Sequence, residues 1–215
     1  MKPVHSTLCT RAREIGERLL LDPEAKPRRV LIVSAGPPGS GKSTLAQALL
    51  EYAGARAAIV PMDGFHLANA ELARLGRASR KGAEDTFDSA GYVSLLRRLK
   101  AQGVDEVVYA PAFRRDIEEP IAGAIPVLPQ TQLIITEGNY LLLDRGHWSG
   151  VHPLLDDAWY VDVDRDLRLQ RLIARHVHFG RSARDAEAWV HGSDEPNAVL
   201  IESTRPRAHQ IFRWD

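Results

Sequence analysis

One cysteine, Cys9, among 215 residues leaves no room for an internal disulfide or a thiolate metal cluster. No apolar run approaches the roughly 20 residues that span a bilayer, and the amino-terminal segment lacks the charged-then-apolar plan of a secretory signal. Charge of one sign is also missing: Lys+Arg and Asp+Glu are each 28, and basic runs stop at two residues. No surplus field therefore draws the chain to nucleic acid or to an anionic membrane. Repeats and low-complexity tracts are absent too. These absences set the expectation of a soluble, cytoplasmic protein in reducing surroundings. The whole chain, 1–215, is long enough for one well-buried domain carrying a small insertion or lid, and too short for two.

What is present centres on Val30-Leu31-Ile32-Val33 and the residues after it. An aliphatic β-branched run suits a strand covered on both faces. It leads into Gly36-x-x-x-x-Gly41-Lys42-Ser43, the P-loop spacing, and then into a helix with Leu45, Leu49 and Ala53 on one stripe and Gly54 as its stop. In such a loop the backbone N–H groups and the helix N-terminus wrap phosphate oxygens, the lysine reaches the β- and γ-phosphates, and the serine hydroxyl meets Mg²⁺. Gly36, Pro37, Pro38, Gly39, Ser40, Gly41, Lys42, Ser43 and Thr44 form the expected ATP-binding set.

Two further short strands deliver acids. Ala57–Met62 ends at Asp63, and Gln132–Thr136 ends at Glu137. In an open parallel sheet, ligands sit at the carboxyl ends of the strands, so both carboxylates are expected to face the phosphates. Ser43, Asp63 and Glu137 are the expected Mg²⁺ ligands, Glu137 in the Walker-B manner. Capping of the next helix is the alternative reading of Asp63.

The rest of the chain reads in order as follows. Thr7–Leu20 carries a helical stripe, and Asp22–Pro27 is a link with two helix breakers. A short helix over Leu67–Leu75 precedes a basic loop, Arg77–Phe87, and Asp88 caps a helix with Tyr92, Leu95, Leu96 and Leu99 on one face. Extended runs at Glu106–Pro111 and Ile121–Val127 bracket a polar tip and suggest a hairpin flap. After the strand Ala158–Val163, Asp164 caps a helix with Arg168, Arg171 and Arg175 on one face, followed by Gly180-Arg181. Three arginines so placed repel one another unless they meet anions. A helical run over Asn197–Glu202 and a last strand over His209–Trp214 close the chain. His147, His152, His176 and His178 lack metal-ligand spacing.

Asp63-Gly64-Phe65-His66, then Asn69, Leu72, Arg80-Lys81-Gly82 and Phe87-Asp88, resembles the segment after the second strand in bacterial P-loop pantothenate kinases, which group with uridine kinase and phosphoribulokinase. The resemblance spans residues 30 to 182 and includes the Glu137-Gly138 pair. It implies a doubly wound, mostly parallel α/β P-loop kinase fold with an acceptor-side segment near 64–127 and an arginine lid near 165–190. It implies Asp63 as the carboxylate that takes or orients the acceptor's hydroxyl proton, and Lys42, Glu137, Arg171, Arg175 and Arg181 around the phosphates. Arg205, in the link before the last strand, falls where such kinases border the adenine. His66, Arg80, Lys81, Phe113, Arg114, Arg115 and Tyr140 fall where they meet the acceptor.

Two departures from the family pattern matter. Pantothenate kinases carry Tyr-Ser-His and uridine kinases Tyr-Asp-Phe where this chain has Phe113-Arg114-Arg115, so an anionic or strongly polar acceptor is expected and pantothenate is expected to be poor. In the lid, the usual Arg-Asp and Arg-Gly-Arg are Arg175-His176 and Phe179-Gly180-Arg181.

The reading is an ATP- and Mg²⁺-dependent kinase that phosphorylates a hydroxyl of a small metabolite, as a monomer or homodimer. A nucleotide-hydrolysing regulator without an acceptor is the alternative. It is disfavoured by the lack of an Asn-Lys-x-Asp guanine-reading motif, and a transporter ATPase by the lack of Leu-Ser-Gly-Gly.

Overall fold

β1 (Val30–Ala35) lies at the centre of five parallel strands in the order β2–β5–β1–β6–β7. The others are β2 (Ala57–Pro61), β5 (Leu133–Gly138), β6 (Asp157–Val163) and β7 (Gln210–Trp214). The computed structural model describes residues 30–214 together with Glu17. Glu17 apart, the expected helix Thr7–Leu20, the link Asp22–Pro27 and Cys9 lie outside the described residues.

The alternation of strand side chains puts a separate core on each face of the sheet. Leu133, Ile135, Trp159, Val161 and Phe212 pack under Leu45, Ala46, Leu49 and Ala53 of α1 (Lys42–Ala53). Leu31, Val60, Ile134, Ala158 and Tyr160 pack on the opposite side, with Tyr92, Val93, Leu96 and Leu99 of α3 (Ser89–Lys100). This is the doubly wound arrangement that the sequence predicts. Between β2 and α3 lie a 3-10 turn, Met62–Phe65, and the short α2 (Asn69–Arg74).

Both expected caps form. The Asp88 carboxylate accepts from the Gly91 N–H at 2.8 Å, and the Asp164 carboxylate accepts from Asp166 and Leu167 N–H groups at 3.0 Å. Asp164 opens α4 (Arg165–His178), after which come α5 (Ala183–Trp189), a π-helical turn Val190–Asp194 and α6 (Glu195–Glu202). The helix α5 and the π turn carry no strong signal in the sequence.

The flap is longer than the sequence suggests. β3 (Val108–Arg114) and β4 (Glu119–Val127) pair antiparallel, with Phe113 opposite Pro120 and Arg114 opposite Glu119. Phe113 and Arg114 are therefore strand residues, and the tip is Arg115–Glu118, where Glu118 adopts φ +52°. Gly64 seats the flap on the sheet: a Cβ there would lie 2.3 Å from the Pro111 carbonyl oxygen. The glycine of the Asp63-Gly64 pair is thus needed for close backbone approach.

Candidate active site

A cleft of about 960 Å³ opens at the carboxyl ends of β1, β2 and β5, between the flap and the lid helices. The P-loop forms its floor. Gly36, Gly39 and Gly41 have φ of +149°, +80° and +96°, which only glycine adopts readily. A Cβ on Gly39 would lie 2.9 Å from Leu172 Cγ and 3.1 Å from the Arg168 carbonyl oxygen of α4, so the loop also rests tightly on the lid helix. Pro38, Gly39, Gly41, Lys42, Ser43 and Thr44 line the cleft directly. Gly36, Pro37 and Ser40 shape the loop from behind, Ser40 N–H donating to the Pro37 carbonyl at 3.1 Å.

Lys42 is buried, and its ammonium donates to the Pro37 carbonyl at 2.9 Å. Burial lowers its pKa to about 8, against the pull of Glu137 and Asp63. Glu137 is half-buried, with the Ser43 hydroxyl close enough to favour its charged form. Burial, and then the nearby Asp63 charge, push its carboxyl up to about 7, with Lys42 and Ser43 pulling the other way. Two carboxylates, one hydroxyl and one ammonium thus meet beside the loop. Among the described residues no cluster of three or more His, Cys, Asp or Glu could hold a metal. The Ser43, Asp63 and Glu137 oxygens nevertheless suit Mg²⁺, which takes one or two carboxylates and completes its shell with phosphate oxygens and water.

From the flap, Arg115 Nη2 reaches Asp63 Oδ2 at 3.2 Å. From α4, Arg171 and Arg175 line the same cleft. Burial and then the Arg115 charge depress the Arg175 pKa, so the flap and lid cations face each other across the site. Arg181 stacks on Trp189, 4.1 Å from the ring centre, and both residues line the cleft. His66 lies between Phe87 and Phe113, with ring centroids 4.1 and 4.5 Å away, and its Nδ1 is 2.7 Å from the Asp63 carbonyl oxygen. Burial lowers the His66 pKa. Lys81 also lines the cleft, donating to Asn69 Oδ1 at 2.6 Å and to the Glu118 carbonyl.

Five arginine and tyrosine positions expected near ligands do not line this cleft. Arg80 pairs with Asp85 in its own loop, and Arg114 turns outward to Asp116 at 2.6 Å. Tyr140 is fully buried in an aromatic cluster with Phe87 and Trp148, its hydroxyl donating to the Gly82 carbonyl at 2.6 Å. Arg205 pairs with Asp162 at 3.0 Å. Arg168 is buried against the P-loop and binds Glu195, so the arginine face expected on α4 reduces to Arg171 and Arg175. An adjacent acid in each case satisfies an arginine that sequence spacing alone leaves free. Trp189, Asp194 and Asn197 do line the cleft and were missed. Asp194 pairs with His176 at 2.8 Å through the π turn, a pairing across 18 residues that leaves no local signal.

No family model matches the chain. A Schizosaccharomyces pombe protein with a provisional uridine kinase name is 41% identical over 170 residues, covering 75% of this chain and 72% of its own length. A pantothenate kinase of Leifsonia xyli subsp. xyli is 31% identical, covering 94% of this chain and 69% of its own length. A crystal structure from Silicibacter sp. TM1040, provisionally assigned as a fructose transport system kinase, superposes with a TM-score of 0.83. It is 39% identical and covers 95% of this chain and 98% of its own.

The chain belongs to the P-loop kinases of the pantothenate kinase and uridine kinase family.

In this P-loop kinase the cleft is bounded by the glycine loop, the strand-end acids Asp63 and Glu137, the β3–β4 hairpin and residues of α4, α5 and α6. Among the described residues no helix is long and apolar enough to cross a membrane.

Proposed function

We propose that this kinase transfers the γ-phosphoryl group of ATP to a hydroxyl of a small polar metabolite. The observation that carries the reading is the convergence of Lys42, Glu137, Asp63, Arg115 and Arg175 on one cleft beside the P-loop. Phosphoryl transfer asks the protein for little covalent chemistry; it needs in-line positioning and neutralised charge. The loop amides and Lys42 hold the phosphates. Ser43, Asp63 and Glu137 would hold Mg²⁺, which when bound neutralises charge on the β- and γ-phosphates.

Asp63 orients the acceptor hydroxyl and takes its proton as the oxygen attacks the γ-phosphorus. Arg175 and Arg171 close from the lid onto the charge that spreads over the phosphoryl oxygens, and Arg181 leaves Trp189 to join them. The names of the relatives span a nucleoside, pantothenate and fructose, which supports the coarse class of a small hydroxylated acceptor.

ATP consumption with Mg²⁺, measured with and without a panel of small hydroxyl metabolites, tests the reading. Turnover is expected to rise at least tenfold with one acceptor class and to vanish in Lys42→Ala. Consumption that ignores every acceptor would instead favour a nucleotide-hydrolysing regulator.

A further inference from the structure

The tip of the flap is fastened to the segment after β2 by contacts that the hairpin itself does not supply. α2 begins after Ala68, whose methyl cannot cap it, so the first N–H of the helix needs a partner from elsewhere. Glu119 supplies it from 50 residues away in the chain: Asn69 N–H donates to the carboxylate at 3.0 Å to Oε1 and 3.2 Å to Oε2. The Asn69 side chain makes the return contact, its Nδ2 donating to the Glu118 carbonyl at 3.2 Å. Lys81 ties the same two residues together, donating to Asn69 Oδ1 at 2.6 Å and to the Glu118 carbonyl. Glu118 holds φ +52°, a conformation that a residue other than glycine keeps only where its surroundings fix it.

Glu119 stands opposite Arg114 in the β3–β4 ladder, so it closes the tip from which Arg115 reaches Asp63 at 3.2 Å. At the root of the flap, Gly64 lets the Pro111 backbone sit against the sheet. The hairpin is held at both ends, and the aim of Arg115 depends on the far one. Asn69, Lys81, Arg115 and Glu118 line the cleft, whereas Glu119 lies outside it.

We propose that Glu119 is a positioning residue: by accepting the Asn69 N–H it pins the flap tip so that Arg115 lies on Asp63. The proposal rests on the kinase reading above. It adds that the geometry around the reacting hydroxyl is set in part by an acid that touches neither substrate nor phosphate.

The test uses the full chain with ATP, Mg²⁺ and whichever member of a metabolite panel, D-fructose, uridine and pantothenate among them, is phosphorylated fastest. Glu119→Ala, Glu119→Gln and Arg115→Ala are compared singly, and Glu119→Ala is also combined with Arg115→Ala. Gln keeps a carbonyl oxygen for the Asn69 N–H. Glu119→Thr, a strand-forming residue too short to reach that N–H, takes the place of Ala should the Ala variant not fold. Hydrogen exchange at the Asn69 amide and over residues 112–121, without ligands, reads the contact independently of any acceptor.

Glu119→Ala is expected to lower acceptor kcat/KM by about tenfold with the KM for ATP unchanged, and to speed exchange in both segments. That loss should disappear in the Arg115→Ala background, because a residue that acts through Arg115 then has nothing left to position. Glu119→Gln should recover most of the activity. Additive losses in the double variant, wild-type kinetics in Glu119→Ala, an equal rise in the KM for ATP, a Gln variant no better than Ala, or unchanged exchange would overturn the proposal while leaving the kinase reading intact. ATP consumption that ignores every acceptor would instead remove the kinase reading, and the positioning role of Glu119 with it.

Discussion

Arg115 Nη2 and Asp63 Oδ2 lie 3.2 Å apart, so the tip of the flap touches the carboxylate at the end of β2. Both side chains are partly exposed, 45% for Arg115 and 28% for Asp63, which makes the pair weak as a stabilising contact. Its importance is positional: the flap arginine, the strand acid and the lid arginine Arg175 meet where phosphoryl transfer would occur.

Arg115→Ala is expected to change stability by less than about 1 kcal/mol, the range of exposed ion pairs. Removal of a cation from the transfer site should nevertheless lower kcat/KM for the acceptor by about 10–100-fold. Thermal melts alongside steady-state kinetics check this. A variant with wild-type kinetics would make Arg115 a surface residue only.

Glu137→Gln should raise stability and abolish activity. The folded-state pKa of about 7 exceeds the ordinary 4.5, so between these values the native state holds a proton that the unfolded chain has released. The wild type therefore loses stability as pH rises through that window. Gln does not titrate, so the variant's advantage should grow from pH 4.5 to 7 and level off above it at about 1–3 kcal/mol. Melting curves against pH, without nucleotide, measure it. A pH-independent difference would show that burial does not disfavour the charged carboxylate.

Gly64→Ala should disturb the acceptor side alone. The new methyl would sit 2.3 Å from the Pro111 carbonyl oxygen, which is backbone, so the flap must move. A shift of this kind is expected to lower acceptor kcat/KM by about tenfold or more, with ATP affinity unchanged. Equal loss of ATP affinity would indicate that the damage reaches the P-loop.

The two-sided sheet, the P-loop and both strand-end acids were legible because each rests on local sequence: aliphatic runs, glycine spacing, and an acid directly after a strand. The burial of Tyr140 and Arg168 has no local signal, because it is decided by partners far along the chain, the Gly82 carbonyl and Glu195. Arg80 and Arg114 read as acceptor ligands until Asp85 and Asp116 are seen to pair with them. Trp189 reaches the cleft only because a π turn and two short helices fold the lid back over it. Its position depends on tertiary packing rather than on any motif.

Phosphorus NMR of ATP, Mg²⁺ and the best acceptor tests the central claim most directly, because it shows where the γ-phosphoryl group goes. With the wild type, one phosphomonoester should form per ADP and little inorganic phosphate should accumulate. With Asp63→Asn the rate of ester formation should fall by about 10²–10⁴-fold, the range for loss of a positioned acid–base group, while ATP still binds with wild-type affinity. Inorganic phosphate equal to ADP whatever hydroxyl compound is present, or an Asp63→Asn enzyme that forms ester at the wild-type rate, would contradict the account.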